Sequence, residues 1–252
     1  MILIGSSPIS ESFISRYPIN SVESNILQIL SSSSQVYRYG SQSLLEFELS
    51  MRANMVSASR ELHRSGLSFR VFRRSICNPD FWERTQEGGF SLKEGVAPSS
   101  AIRDIFQNGS QYGTECATAI VMIYFKAILN VFSDTLFNRV FTNIYLMNWE
   151  NLDKNLALSY YSTLVDYLPG NCRYFKNPDV NPMTPEWQGE NVIDLGGGLY
   201  YGHGIGIKTA DEIIRSLNYN RRSGATESAY LLDSVNTLGF THLFNIYSRQ
   251  MG

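Results

Sequence analysis

The chain has 252 residues, of which 43% are hydrophobic, 17% charged and 13% aromatic, with a formal net charge of −2 from 21 basic and 23 acidic side chains. A chain of that length buries a core without disulfide or metal support, and so low a charged fraction excludes disorder. The absence of a basic field excludes a dedicated nucleic-acid binder. The start, MILIGSSPISESF, has neither the basic lead nor the apolar stretch of a signal peptide, so synthesis in a cytoplasm is expected. No apolar run reaches membrane-spanning length. The three cysteines, Cys77, Cys116 and Cys172, form no CxxC and no complete disulfide set, which fits a reducing compartment. The histidines stand apart and no HExxH occurs, so no metal site is expected.

In chain order, residues 1–40 are Ser-rich and weakly patterned, and read as a poorly constrained arm. The run from Ser41 to Gly66 reads as one long helix. Ser43 with Glu46 makes a capping-box pattern, Leu45, Leu49, Val56 and Leu62 share a buried side, and Gly66 is the stop. LSFRVF follows as a strand, and residues 77–98, with Pro, Gly and charge, as loop. Pro98 and Ser99 open a short helix ended by Gly109. After the polar GSQYGTE comes CATAIVMIYFKAILNVF, in which only Thr118, Lys126 and Asn130 are polar. At 100° per residue these three form one stripe, so this helix is buried over most of its circumference. Ser133 caps a helix to about Phe141, IYLMNW is strand-like, and residues 150–170 are ambiguous.

CRYFKN, ENVIDL and LYYGHGIGI read as strands, with Gly196, Gly197 and Gly198 turning a hairpin. Thr209 with Glu212 is a second capping box, opening TADEIIRSLN. The C-terminal SAYLLDSVNTLGFTHLFNIY is mixed. Helices come first and strands later, without internal repeat, so the expected class is α+β.

Cys116 stands where a polar loop turns into the buried helix. Free N–H groups and the macrodipole at a helix start favour a thiolate, and the same N–H groups can receive a developing oxyanion. The plain alternative is a small core residue. His203, between Gly202 and Gly204, alternates with Tyr201 and Ile205, and an imidazole on a strand can serve a helix-borne cysteine or simply be a satisfied core histidine. Glu190 begins ENVIDL and alternates with Val192 and Asp194; a carboxylate among apolar neighbours can act as a base, or be a solvated strand start. Glu115 adjoins Cys116, where dipole complementarity alone would explain it. GHGIGIKT lacks the Gly-Lys-Thr of a phosphate loop, and its alternate glycines miss GxGxxG.

These residues sit in segments that resemble the spore-coat protein-glutamine γ-glutamyltransferases, the small transglutaminases of spore-forming bacteria. The segments are LLEFELSMRANMVSASRELHRSG, PSSAIRDIFQNGSQYGTECATAIVMIYF, CRYFKNPDVNPMTPEWQGENVI, GHGIGI and GATESAYLL, and GTECATAIV and WQGENVI are the specific ones. The resemblance implies one catalytic domain over 1–252 with a compact papain-like core of the NlpC/P60 type, its helices packed on an antiparallel sheet. It implies an active-site cysteine at Cys116, a catalytic carboxylate at Glu190 and a partly shared role for Glu115; His203 is carried over as a supporting residue. The implied reaction needs no cofactor and no metal. The thiolate attacks a protein-bound glutamine, ammonia leaves, and a lysine amine resolves the thioester into an isopeptide. A transferase needs a closed, apolar approach to the sulfur, for which Trp149 and Trp187 are the expected walls.

The implied partners are protein glutamine donors and lysine acceptors of the spore coat, with no nucleic acid and no membrane. The implied place is the mother-cell cytoplasm and then the coat. Two other readings remain at this point: a cysteine amidase or peptidase on the same core, and a non-catalytic coat scaffold. Asn171 stands in GNC where an aspartate is expected, and the glycine turn at 196–198 and the first 40 residues also diverge.

Overall fold

The computed structural model describes residues 1–149 and 152–249. The first 40 residues are better ordered than their composition suggests. Strands β1 (Ile2–Ile4) and β2 (Ser7–Pro8), helices α1 (Glu11–Ile14) and α2 (Val22–Ser32) and strand β3 (Tyr37–Tyr39) form a small unit, its strands in the order β2-β1-β3. Ser10 and Ser21 cap α1 and α2 by accepting from Phe13 and Ser24 N–H, so the serines that look like linker residues are helix caps. Ile2, Phe13, Ile26, Leu27 and Leu30 then bury against Leu45 and Leu49 of the next helix.

That helix, α3 (Gln42–Arg64), is capped by Ser41, which accepts from Leu44 N–H at 3.1 Å. The capping box expected from Ser43 and Glu46 does not form: the N-cap lies two residues earlier, its N3 residue is Leu44, and Glu46 instead accepts from Gln42 and Arg16. The helix stops where expected, with Gly66 at φ +86°. Only Ser68–Phe69 of LSFRVF is strand, β4, before a 3-10 turn at Phe72–Arg74. The segment read as loop contains a hairpin, β5 (Trp82–Arg84) and β6 (Phe90–Leu92). There α4 (Pro98–Gln107), β7 (Gly113–Thr114), α5 (Cys116–Val131), α6 (Asp134–Val140) and β8 (Tyr145–Leu146) follow, and β8 pairs with β6.

The second half builds the main sheet: β9 (Ser159–Tyr161), β10 (Cys172–Lys176), β11 (Gly189–Gly196), β12 (Leu199–Gly202), β13 (Gly206–Thr209), helix α7 (Ala210–Tyr219), β14 (Tyr230–Leu231), β15 (Val235–Thr237) and helix α8 (Phe240–Ser248). Its order is β13-β12-β11-β10-β15-β9, with β14 beside β10, and every pairing is antiparallel. Gly196, Gly197 and Gly198 turn from β11 to β12 with φ of +79°, +62° and +76°, a run of left-handed backbone that side chains resist. Thr209 and Glu212 form the expected capping box of α7.

Strand alternation decides what each face of the sheet meets. Ile193 and Leu195 join the main core with α3 and α5. Val192 faces the other way and packs with Phe175, Ile213 and Leu217 under α7. Almost every apolar side chain of α5 is buried, from Ala117 to Leu129, as its sequence requires. Among the described residues no helix is long and apolar enough to cross a membrane, and all three cysteines are free thiols.

Candidate active site

Cys116 is the first residue of α5, and Glu115 is its N-cap. The Glu115 carboxylate accepts from the backbone N–H of Ala117 at 2.6 Å and of Thr118 at 2.7 Å. The placement matches the polar-to-apolar switch in the sequence. Its electrostatic outcome does not. Two of the free N–H groups are already occupied by Glu115, so they are not open to an oxyanion. The thiol is also pushed up, above its ordinary value, by burial first and then by the carboxylates of Glu190 and Glu115. Desolvation and two nearby anions outweigh the helix dipole here.

The antiparallel sheet brings β11 to the head of α5. The Asn191 side-chain amide donates to Cys116 Sγ at 3.4 Å, and the Asn191 backbone N–H also favours the anionic sulfur. Glu190 has the opposite parity on the same strand. It lies across from Phe175, is only 4% exposed, and rests on Gly202, where an added Cβ would come within 2.8 Å of the Glu190 Cγ. Glycine is required there by close approach, as the alternation of glycines suggests. The backbone N–H of His203 donates to the Glu190 carboxylate, but burial and the Glu115 charge hold its pKa well above the ordinary carboxylate range. Glu190 Oε1 is buried without a hydrogen-bond partner among the described residues. Glu190 is thus beside Cys116 electrostatically, while the hydrogen bond to sulfur comes from Asn191.

His203 follows β12 directly and is 3% exposed. Its Nε2 lies 3.3 Å from the Ser68 carbonyl and its Nδ1 lies 3.3 Å from the Tyr201 hydroxyl. A carbonyl only accepts, so Nε2 carries the proton and the tyrosine O–H donates to Nδ1. Burial lowers its pKa to about 4, which leaves a neutral ring at pH 7. The imidazole therefore bonds to β4 and to Tyr201, while its main chain holds Glu190. The parallel pairing of β4 with β7 explains the contact, since Phe69 lies opposite Thr114, two residues before Cys116.

Of the two expected tryptophan walls, Trp149 packs on the main core. It adjoins Asn148, whose N–H donates to Thr118 Oγ1 in the first turn of α5 at 2.7 Å. Trp187 packs instead in the cluster under α7. Two residues close to the site escaped sequence reasoning. Asn191 was hidden as an ordinary polar strand residue, although its parity, opposite to Glu190, was readable. Tyr174 pairs with Asn191 across the sheet, and its phenol, whose pKa is raised to about 12 by burial first, also feels the charges of Cys116 and Glu190. A cavity of about 350 Å³ opens beside His203, lined by Leu62, His63, Leu67, Phe69 and Tyr201. Among the described residues no group of His, Cys, Asp or Glu is arranged to hold a metal ion.

A cysteine at the head of a buried helix, packed on an antiparallel sheet that carries the polar partners, defines an α+β cysteine enzyme with a papain-like core. Residues 1–247 match the family described as protein-glutamine gamma-glutamyltransferase. A protein-glutamine gamma-glutamyltransferase of Bacillus mycoides (strain KBAB4) is 47% identical over 236 residues, 93% of this chain and 85% of that protein. One of Bacillus cereus (strain G9842) is 45% identical over the same shares. The solved transglutaminase from Geobacillus stearothermophilus, without its C-terminal extension, superposes with a TM-score of 0.78 at 48% identity, covering 82% of this chain and 98% of that one. The chain belongs to the protein-glutamine gamma-glutamyltransferase family.

Proposed function

We propose that this transglutaminase uses Cys116 as its nucleophile, with Glu190 as the proton acceptor, Glu115 as cap and second carboxylate, Asn191 as donor to sulfur, and His203 as the residue that positions Glu190. The observation that carries the reading is the junction of α5 and β11, where a thiol, a buried carboxyl and an amide donor meet. Because burial and their mutual charge raise both pKa values, Cys116 and Glu190 resist ionising together, and the reactive state is the pair sharing one proton. In that state Cys116 Sγ attacks the γ-carboxamide carbon of a protein-bound glutamine. The C–N bond breaks, ammonia leaves with a proton from the pair, and a thioester forms. A lysine ε-amine then attacks the thioester carbon, its proton passes to the carboxylate, and the C–S bond breaks to return the thiol and release the isopeptide.

The burial that raises both pKa values also keeps water from the thioester. Trp149 and Tyr174 are the nearer aromatic walls, and Trp187 supports the strand from the far face. The family and its Bacillus relatives favour protein substrates. Spore coat proteins as those substrates, with synthesis in the mother cell and action at the coat, complete the proposal. The test incubates the protein with a glutamine-bearing protein and a labelled primary amine, reading label incorporation and glutamate formation separately. Incorporation that disappears in Cys116→Ala supports the reading. Glutamate without incorporation identifies a hydrolase. Neither, in folded protein, identifies a scaffold.

A further inference from the structure

Residues 70–84 carry Arg70, Arg73, Arg74 and Arg84, all four exposed. The fold gathers them around one turn. Arg70 Nη1 reaches the Arg74 carbonyl at 3.5 Å, and its Nε donates to Ser68 Oγ at 3.2 Å. Arg84 Nη2 donates to the Phe72 carbonyl at 2.9 Å, and its Nε to the Ser75 carbonyl at 2.8 Å. These acceptors are neutral, so the hydrogen bonds fix the two guanidinium groups without cancelling their charge. Arg16, Arg52, Arg103 and Arg222, by contrast, each pair with a carboxylate. Asp80, Glu83 and Glu87, the acids of the same stretch and its hairpin, make no ion pair with the four arginines among the described residues. On a chain of net charge −2, this is a concentrated and uncompensated positive surface.

The surface borders the nucleophile. The Arg70 N–H donates to the Thr114 carbonyl at 2.8 Å, two residues before Cys116. The Arg70 side chain lies over Gly113, where an added Cβ would collide with its Cδ and Nε. From Cys116 back to Thr114, across to Arg70 and on to Arg74, the path is short. A substrate segment of about six extended residues, at about 3.3–3.6 Å each, spans it. Charge then decides which substrate the surface suits. A lysine acceptor brings an ammonium group, which a basic surface repels. A glutamine donor is neutral at its reactive end and meets the surface only with the residues that flank it. Complementary charge of this kind steers encounter and selects partners.

We propose that Arg70, Arg73, Arg74 and Arg84 form a docking surface for an acidic segment of the glutamine-donor protein, lying within about six residues of the reactive glutamine. The inference rests on the transglutaminase reading. The probes are blocked peptides of equal length, each with one glutamine and no lysine. Glutamates, alanines or arginines flank the glutamine on its N- or C-terminal side, and the acceptor is a labelled primary amine. At low ionic strength the better glutamate-flanked peptide should show kcat/KM about fivefold above its alanine counterpart, as a few exposed ion pairs permit, with the gain lying in KM. The gain should fade at about 0.5 M salt, where such charges are screened. The deciding variant combines Arg73→Glu with Arg74→Glu, since neither side chain makes a hydrogen bond or ion pair among the described residues. It should favour the arginine-flanked peptide over the glutamate-flanked one, a reversal that no loss of folding produces.

Three results overturn the proposal: equal use of glutamate- and alanine-flanked peptides by the wild type, a preference that high salt leaves intact, or a double variant that keeps the wild-type order. A gain that appears only when the glutamates flank a lysine acceptor assigns the surface to the other substrate and also overturns it. A fluorescent glutamate peptide without glutamine or lysine reports on the surface apart from the chemistry. Its salt-sensitive binding, lost in the double variant, together with no amine incorporation from any peptide, would show that the transglutaminase reading had failed while the surface stood.

Discussion

Gly202→Ala tests whether the position of Glu190 matters to the chemistry. Gly202 lies in β12 without a left-handed φ, so alanine meets no backbone strain there. Its new Cβ would sit 2.8 Å from Glu190 Cγ and 2.9 Å from Oε1, against an ordinary contact of 3.4–4 Å. The carboxylate must therefore move by about 0.6 Å, more than the ~0.5 Å within which catalytic groups are held. Overpacking of this size destabilises by about 1–3 kcal/mol, a fall in Tm of about 2–12 °C for a chain of this size. Misplacement approaching 1 Å reduces rates by up to ~100-fold, so amine incorporation should fall about 10- to 100-fold at a temperature where the variant is fully folded.

The assay is labelled-amine incorporation, with calorimetry for stability and alkylation stoichiometry to show that Cys116 remains intact. Gly40→Ala is the control, since its Cβ would meet nothing within 4 Å, and it should match the wild type. Full activity in Gly202→Ala, alongside the expected loss of stability, would refute the role given to Glu190.

Glu190→Gln should have opposite effects on two observables: the alkylation profile of Cys116 should move to lower pH, because a neighbouring negative charge is removed, while transfer falls. The wild-type transfer rate should itself rise with pH through the neutral range, because burial and neighbouring charge raise the Cys116 and Glu190 pKa values above their ordinary range; a flat profile from pH 6 to 9 at saturating substrate would contradict that. The stability of the two proteins should also diverge. Burial raises the folded pKa of Glu190 above the free value of about 4.3, so the folded state holds a proton the unfolded chain has lost, and wild-type stability falls as pH rises above that value by up to ~1.4 kcal/mol per unit. Glu190→Gln should flatten this slope in chemical denaturation, and an unchanged slope would count against it. His203 has the reverse sign: its folded pKa of about 4 means stability present above pH ~6.5 is lost as pH falls toward 4, and His203→Gln should remove that part of the acid sensitivity. Glu115→Ala should cost about 1 kcal/mol as a lost helix cap, leave residual incorporation, and abolish it only together with Glu190→Ala.

Legibility from sequence followed the strength of the local signal. The α5 helix was readable because sixteen residues of nearly unbroken apolar character leave no other solution, and its start was readable because polarity changes abruptly at Cys116. The β11–β12 hairpin was readable because three consecutive glycines permit one kind of turn. The order within residues 1–40 was not, because a serine looks the same in a linker and at a helix cap; only the burial of Ile26, Leu27 and Leu30 against Leu45 and Leu49 separates the two. The hairpin at Trp82–Leu92 was hidden for a related reason. Its strands are three residues each, and their partner β8 is distant in sequence. At the site, identities were legible and electrostatics were not. The helix position of Cys116 predicts an acidic thiol, but burial and two carboxylates reverse the sign, and both depend on which strand the sheet brings alongside.

That reversal has a functional logic in the proposed mechanism. Each unit by which a pKa lies above ambient pH lowers the ionised fraction about tenfold, so a buried, doubly flanked thiol is a poor nucleophile at rest. The same burial decides what the thioester meets next. Water is present at far higher concentration than any lysine side chain, and an open site would hydrolyse its intermediate. A site that is dry enough to favour the amine is also too dry to stabilise a free thiolate, unless a proton acceptor is buried with it. In the proposed mechanism Glu190 meets that need beside the sulfur, held by Gly202 and the His203 N–H, while Asn191, the next residue of β11, donates to the sulfur. Adjacent residues of one strand thus supply both the proposed proton acceptor and the donor to sulfur, so the strand that β10 and β12 hold beside α5 brings the two together.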